Sequence, residues 1–159
     1  MHHSMDMRRL AGRGRRAFTF IEILIVVAII AMLAAVGIIQ LLRARIATNE
    51  QLAITSLRLL SKSCGFFYLA RQAYPAALTD LGPPASIPPY IDDAGLLAGT
   101  KQGYQFIYTP GPTTFTLRGN PVTHGTTGVR HFFLDQNTII HATEQNQDAT
   151  AADPVIPTT

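Results

Sequence analysis

FTFIEILIVVAIIAMLAAVGIIQLL occupies residues 18–42. From Ile23 to Leu42 no residue carries a formal charge, and only Gln40 is strongly polar. As a helix such a run rises about 30 Å, the thickness of a bilayer's hydrocarbon. In lipid the backbone must satisfy its own hydrogen bonds, so helix is the state this Ile-, Val-, Leu- and Ala-rich run is expected to take. The small residue Ala17 stands before the apolar run, the reverse of an ordinary secretory signal. That order puts the cut on the cytoplasmic side and keeps the helix in the mature chain.

The rest of the chain differs from this stretch. Of 159 residues, 47% are hydrophobic and only 14% charged, and the excess lies mostly between Ile21 and Leu42. The chain therefore reads as an anchor plus a polar domain. A pI of 9.4 invites a nucleic-acid reading. Five of the 13 Lys and Arg (Arg8, Arg9, Arg13, Arg15 and Arg16) precede Phe18, with Asp6 alone of the 10 acids; eight basic and nine acidic residues remain beyond. A nearly neutral domain offers no basic stripe for phosphates, so no nucleic-acid partner is expected. The leader arginines, Arg13, Arg15 and Arg16 nearest the span, outnumber Arg43 and Arg45 beyond it. They hold the N-terminus in the cytoplasm and send the C-terminus out.

Glu22 interrupts the apolar run. A carboxylate in a span costs up to roughly 2.5–3.5 kcal/mol when central. Beyond Phe18 no Lys or Arg lies within reach on its helix face. Two readings stand side by side. Glu22 snorkels to the headgroups, or cleavage frees the amine of Phe18, which pairs with Glu22 four residues on, or with Glu22 of a staggered neighbour.

Arg16-Ala17-Phe18-Thr19-Phe20-Ile21-Glu22 and the following Ile23 to Ala35 resemble the class III signal of type IV prepilins and type II secretion pseudopilins. The resemblance covers about 25 residues and implies cleavage between Ala17 and Phe18 by a prepilin peptidase, with methylation of Phe18. It also implies that Phe18 and Glu22 serve subunit alignment. Two departures from the family pattern matter. Ala17 stands where Gly is usual, and the helix-breaking Gly and Pro positions are Ala31 and Ile39, leaving Gly37. A more continuous, stiffer helix is expected.

Beyond the span, Ala53, Leu57, Leu60, Cys64 and Phe67 recur at spacings of four and three, one face of a helix. Tyr74-Pro75 ends it, because a residue before proline avoids helical torsions. The helix so read runs from Phe18 to about Gln72, too long to be buried in one copy. Phe66, Phe67 and Tyr68 read as its end plugging into a core rather than as an electron path. Ala73 to Gly103 is punctuated by Pro and Gly, with a short helical turn at Ala94 to Ala98. Its fragment Tyr74 to Leu81 resembles the stretch after the long helix in many major pseudopilins and pilins. Period-two patterns then give Tyr104 to Tyr108, a turn at Thr109 to Pro112, Thr114 to Leu117, Arg130 to Leu134, a turn at Asp135 to Asn137, and Thr138 to Ala142.

The fold expected is α+β: a long N-terminal helix, transmembrane in its first half, packed by its second half on a small antiparallel sheet of three or four strands, the pilin fold. Its parts are a cleaved leader (1–17), a transmembrane assembly helix (18–42), an amphipathic continuation (43–72), a head (73–143) and a flexible tail (144–159).

Chemistry is sparse. The chain lacks HExxH, paired CxxC, GxSxG and phosphate-loop motifs, so no catalytic residue and no cofactor are assigned and the chain is read as a non-enzyme. Cys64 is the single cysteine, which excludes an intramolecular disulfide, and it falls on the apolar stripe. His124, His131 and His141 share the sheet region, and strand pairing is the route by which His131 would come near His141, but half-exposed strand positions are the default. Asp92-Asp93 and Asp135 to Asn137 read as turn formers rather than calcium ligands, and no metal is assigned.

The function expected is a structural subunit of a type IV pilus-like filament, stored in the bacterial inner membrane and polymerised into a periplasmic or cell-surface fibre. Its partners would be copies of itself, prepilin peptidase, lipid before assembly, and an inner-membrane platform driven by an ATPase. A major pseudopilin of a type II secretion system is the alternative within this class. A membrane-anchored binding module is the alternative outside it, and an exported hydrolase on a stalk has no nucleophile–base pair to support it.

Overall fold

A computed structural model describes residues 18–157. The chain divides into two units, Met1–Ile38 and Ile39–Thr159. Helix α1 (Phe20–Arg71) contributes to both and is helical at every position, including Ala31 and Ile39. Within the first unit it is bare: the apolar window of α1 that is long enough to cross a membrane has none of its residues buried.

The second unit is built on the far half of α1. Ala53, Leu57, Leu60, Cys64 and Phe67 are all buried, as their spacing requires. The helix stops where the sequence says it must. Gln72 turns left-handed with φ 57°, its N–H reaches the Tyr68 carbonyl at 2.7 Å, and Tyr74-Pro75 follows. A 3-10 turn (Leu78–Leu81) and a short helix α2 (Ala94–Leu97) punctuate the connection, with Asp93 capping α2 through the Leu96 N–H at 2.9 Å.

Five strands follow: β1 (Thr100–Lys101), β2 (Tyr104–Pro110), β3 (Phe115–Pro121), β4 (His131–Asp135) and β5 (Ile140–Thr143). They pair in sequence order, every neighbour antiparallel. The architecture is the α+β, pilin-like arrangement expected, with one strand more than the three or four foreseen. The extra strand, β1, is two residues long, too short for alternation to register. Tyr104, Phe106, Phe115, Leu117, Phe132, Leu134 and Ile140 join the α1 stripe in one core. Gly119 marks the closest approach of sheet and helix, since a Cβ there would lie 3.3 Å from Leu57 Cδ1.

Residues 144–157 do not behave as the flexible tail foreseen. They return along β5: the Ala142 N–H donates to the Pro154 carbonyl at 2.9 Å, and the Ile156 N–H to Ile140 at 2.8 Å. Asp148 accepts from Arg118 (3.2 Å) and Asn120 (2.7 Å) on β3, and Ala149 is fully buried. A polar, Pro-containing composition hides such a segment, because its anchors are single side chains with partners 28 and 30 residues away. Thr158 and Thr159 lie outside the described residues.

One polar clamp fixes the loop between β3 and β4 to the helix. Glu50 is 7% exposed. Its Oε1 accepts from the Val129 and Arg130 backbone N–H groups at 2.9 and 3.1 Å, and its Oε2 from Arg130 Nε at 2.7 Å. Beside it Asn49 Nδ2 donates to the Thr127 carbonyl at 2.9 Å. Burial pushes the Glu50 carboxyl up, but the N–H groups of Val129 and Arg130 and the Arg130 guanidinium outweigh it and hold the group below 4.5. A carboxyl lowered by folding stabilises the fold fully above its unfolded value of about 4.5 and loses that contribution as pH falls through the lower folded value. Glu50→Gln is therefore expected to cost roughly 1–3 kcal/mol at neutral pH. The difference from wild type should shrink as denaturant unfolding is repeated at pH values below 4.5.

Candidate assembly site

The helix begins with a hydroxyl and a carboxylate. Thr19 precedes α1, and its Oγ1 accepts the Glu22 backbone N–H at 3.3 Å while its carbonyl accepts the same N–H at 3.1 Å and that of Ile23 at 3.4 Å. Thr19-x-x-Glu22 ahead of an apolar run is the sequence signature of a helix start. That signal was open to sequence reading, but Thr19 drew no role there. Glu22 sits in the first turn, where unpaired N–H groups lend positive character worth roughly 0.3–1 kcal/mol to a carboxylate. This is a relief that the chain supplies itself. Among the described residues no Lys or Arg forms an ion pair with Glu22.

The large side chains around this carboxylate are apolar and uncovered. Phe18 is 76% exposed, Phe20 84% and Ile21 64%, and Ile23 to Leu33 follow with their large side chains all about half exposed or more. At about 25 cal/mol per Å² of apolar surface, such a face in water is costly, and lipid or other apolar helices relieve it. Of the residues foreseen for processing and assembly, Glu22 lies in the first turn of α1 and Phe18 two residues before the helix begins. Ala17 and the leader arginines Arg13, Arg15 and Arg16 lie outside the described residues.

The head carries few reactive groups in the open. Asp93 is taken up by α2 and by Lys101 Nζ at 2.6 Å, and Asp135 by Asn137 within its own turn. His141 opposes Phe133 rather than His131, and its Nδ1 lies 2.7 Å from the Asp153 carbonyl oxygen. His131 instead meets His124. Phe67 plugs the core edge-on to Tyr90 and Tyr68 stacks on Tyr74, but Phe66 stays half exposed beneath Lys62. Among the described residues no group of three or more His, Cys, Asp or Glu gathers as metal ligands.

Residues 12–38 match the family model described as the prokaryotic N-terminal methylation motif, the class III prepilin signal of type IV pilins and pseudopilins. Prepilin-type N-termini of this kind imply peptidase cleavage and filament assembly, and with the apolar helix they fit a membrane-anchored precursor. Proteins carrying the motif are in general structural rather than catalytic. No curated protein matches the chain.

Cys64 illustrates how little the head offers chemically. Fully enclosed, its thiol is pushed up to about 12 by burial, so at pH 8 it stays protonated and unreactive. Iodoacetamide at that pH should leave the folded protein's intact mass unchanged and add one label per chain after unfolding in guanidinium.

Proposed function

We propose that the chain is the structural subunit of a type IV pilus-like filament, stored in the inner membrane and polymerised through α1 after cleavage between Ala17 and Phe18 and methylation of Phe18. The observation that carries this reading is the bare apolar first half of α1 with a single carboxylate, Glu22, in its first turn. In the membrane, lipid covers that surface. In a fibre, the same halves of other copies cover it. Cleavage adds the missing cation, since the freed amine of Phe18 lies beside Glu22 in sequence and at the same depth in a staggered neighbour. A matched pair in an apolar setting adds little net stability, but a mismatched one is penalised, so its role is axial register.

The head supports the same reading. Its β-sheet closes a core on the far half of α1, and its acids and histidines are largely engaged in holding loops. Assembly would depend on an inner-membrane platform and an ATPase-driven machine, with the finished fibre in the periplasm or on the cell surface. A major pseudopilin of a type II secretion system fits the motif as well, and the head's lack of a second cysteine suits it.

Two measurements test the proposal. Intact mass and N-terminal sequencing of protein recovered from cells should give Phe18 as first residue, one methyl heavier than unmodified. Glu22→Ala should be exported and cut normally yet yield about tenfold or fewer filaments, because the Phe18 amine then enters apolar packing unpaired. Filaments from Glu22→Ala at wild-type abundance would overturn the register role.

A further inference from the structure

Four polar side chains from separate segments form one line of hydrogen bonds on the outer face of the sheet. Asp148 of the returning chain accepts from Asn120 Nδ2 on β3 at 2.7 Å, and only the amide nitrogen can donate to a carboxylate. Asn120 therefore turns its Oδ1 to His131 on β4, which donates from Nδ1 across 3.2 Å. A neutral imidazole has one N–H, so His131 Nε2 is an acceptor. The proton between it and His124 Nδ1, 3.4 Å away, belongs to His124. The two rings stack, 5.5 Å between centroids and 25° between planes. Every bond in the line thus runs one way, from the β3–β4 loop to a carboxylate, and the bond between the histidines is the longest.

We infer that this line is a proton-operated latch for the tip of the β3–β4 loop, closed while His131 is neutral and opened by a proton on His131 Nε2. The two imidazoles are not equivalent. A proton taken up by His124 goes to Nε2, away from the contact, and leaves its Nδ1–H in place. A proton taken up by His131 can go only to Nε2, where it sets two N–H groups against each other with no acceptor between them. His131 is 6% exposed and His124 half-buried, so departure of His124 is what brings water to the charged ring. Opening is confined to the tip, because Asn49 holds Thr127 and Glu50 holds Val129 and Arg130 independently. Charged groups surround His131 from each element. Burial and the neighbouring His124 hold its imidazole below the usual 6.5, and Asp148 pulls the other way. Arg118 on β3 is paired with Asp148, and Arg130, the residue before His131, with Glu50 of α1. On β5 His131 faces Thr143, with exposed Glu144 next in the chain, and His141 is committed to the Asp153 carbonyl. Folding keeps His131 neutral where an unfolded histidine is charged. The stabilisation is therefore fully present above 6.5 and is lost as pH falls through that value towards the lower folded one.

NMR of the detergent-solubilised full chain, labelled with nitrogen-15 and carbon-13 in its histidines, reads the latch from pH 8 to pH 4. At pH 8 the nitrogen shifts should place the His131 proton on Nδ1, and a cross-relaxation peak should join the His124 and His131 rings. That peak should vanish as His131 takes up its proton, while the Val129 and Arg130 amides, bonded to Glu50, stay protected from exchange. His124→Phe keeps a ring on the stack but removes the N–H and the charge, so the His131 midpoint should move up. Asp148→Asn keeps an acceptor but removes the carboxylate, so the midpoint should move down. A His131 proton on Nε2 at pH 8, a His131 that stays neutral to pH 4, or a ring-to-ring peak that outlasts its protonation would overturn the latch. So would a midpoint that both substitutions move the same way.

Discussion

Water does not tolerate the first half of α1. Large side chains from Phe18 to Leu33 and from Ile38 to Leu42 stand open, and the chain's own core is already closed around the second half of α1 and the sheet. A surface of this kind has two stable settings, lipid and the like surfaces of other apolar helices. The residues of this half are strongly apolar, its start is capped by Thr19, and its one charge sits in the first turn, where the helix's own N–H groups soften the cost.

Much of this was legible in the sequence because it is written in short-range pattern. The spacing of Ala53, Leu57, Leu60, Cys64 and Phe67 gave the buried face, Tyr74-Pro75 gave the stop, and alternation from Tyr104 onward gave the hairpin and the strands after it. Pairing over long separations was not legible. Glu50 holds backbone 79 and 80 residues away, and nothing near Glu50 in the chain distinguishes it from a solvated helix glutamate. The return of residues 144–157 was missed for the same reason. Its anchors, Asp148, Ala149 and Ile156, are scattered through a composition that elsewhere means disorder. Thr19 is the opposite case, a local signal that was present and went unread.

The head is held together by a division of labour between faces. Toward α1 the sheet presents aromatic and aliphatic side chains, and Gly119 gives Leu57 room to come close. Away from α1 it presents Arg118, Asn120, His131 and His141, each engaged by the returning chain or by the β3–β4 loop. Polar side chains on that outer face thus act as fasteners between the sheet and the segments laid over it.

The proposed assembly through α1 would place a hazard on the sheet of the head. Bare strand backbone is a template on which any passing chain can add itself, and crowding many heads along a fibre would bring such templates side by side. Here neither rim is left inviting. β1 is only two residues long and carries Lys101, and the backbone of β5 is occupied by Pro154 to Ile156. In the proposed fibre, the short β1 and the covered β5 would limit edge-to-edge pairing between neighbouring heads.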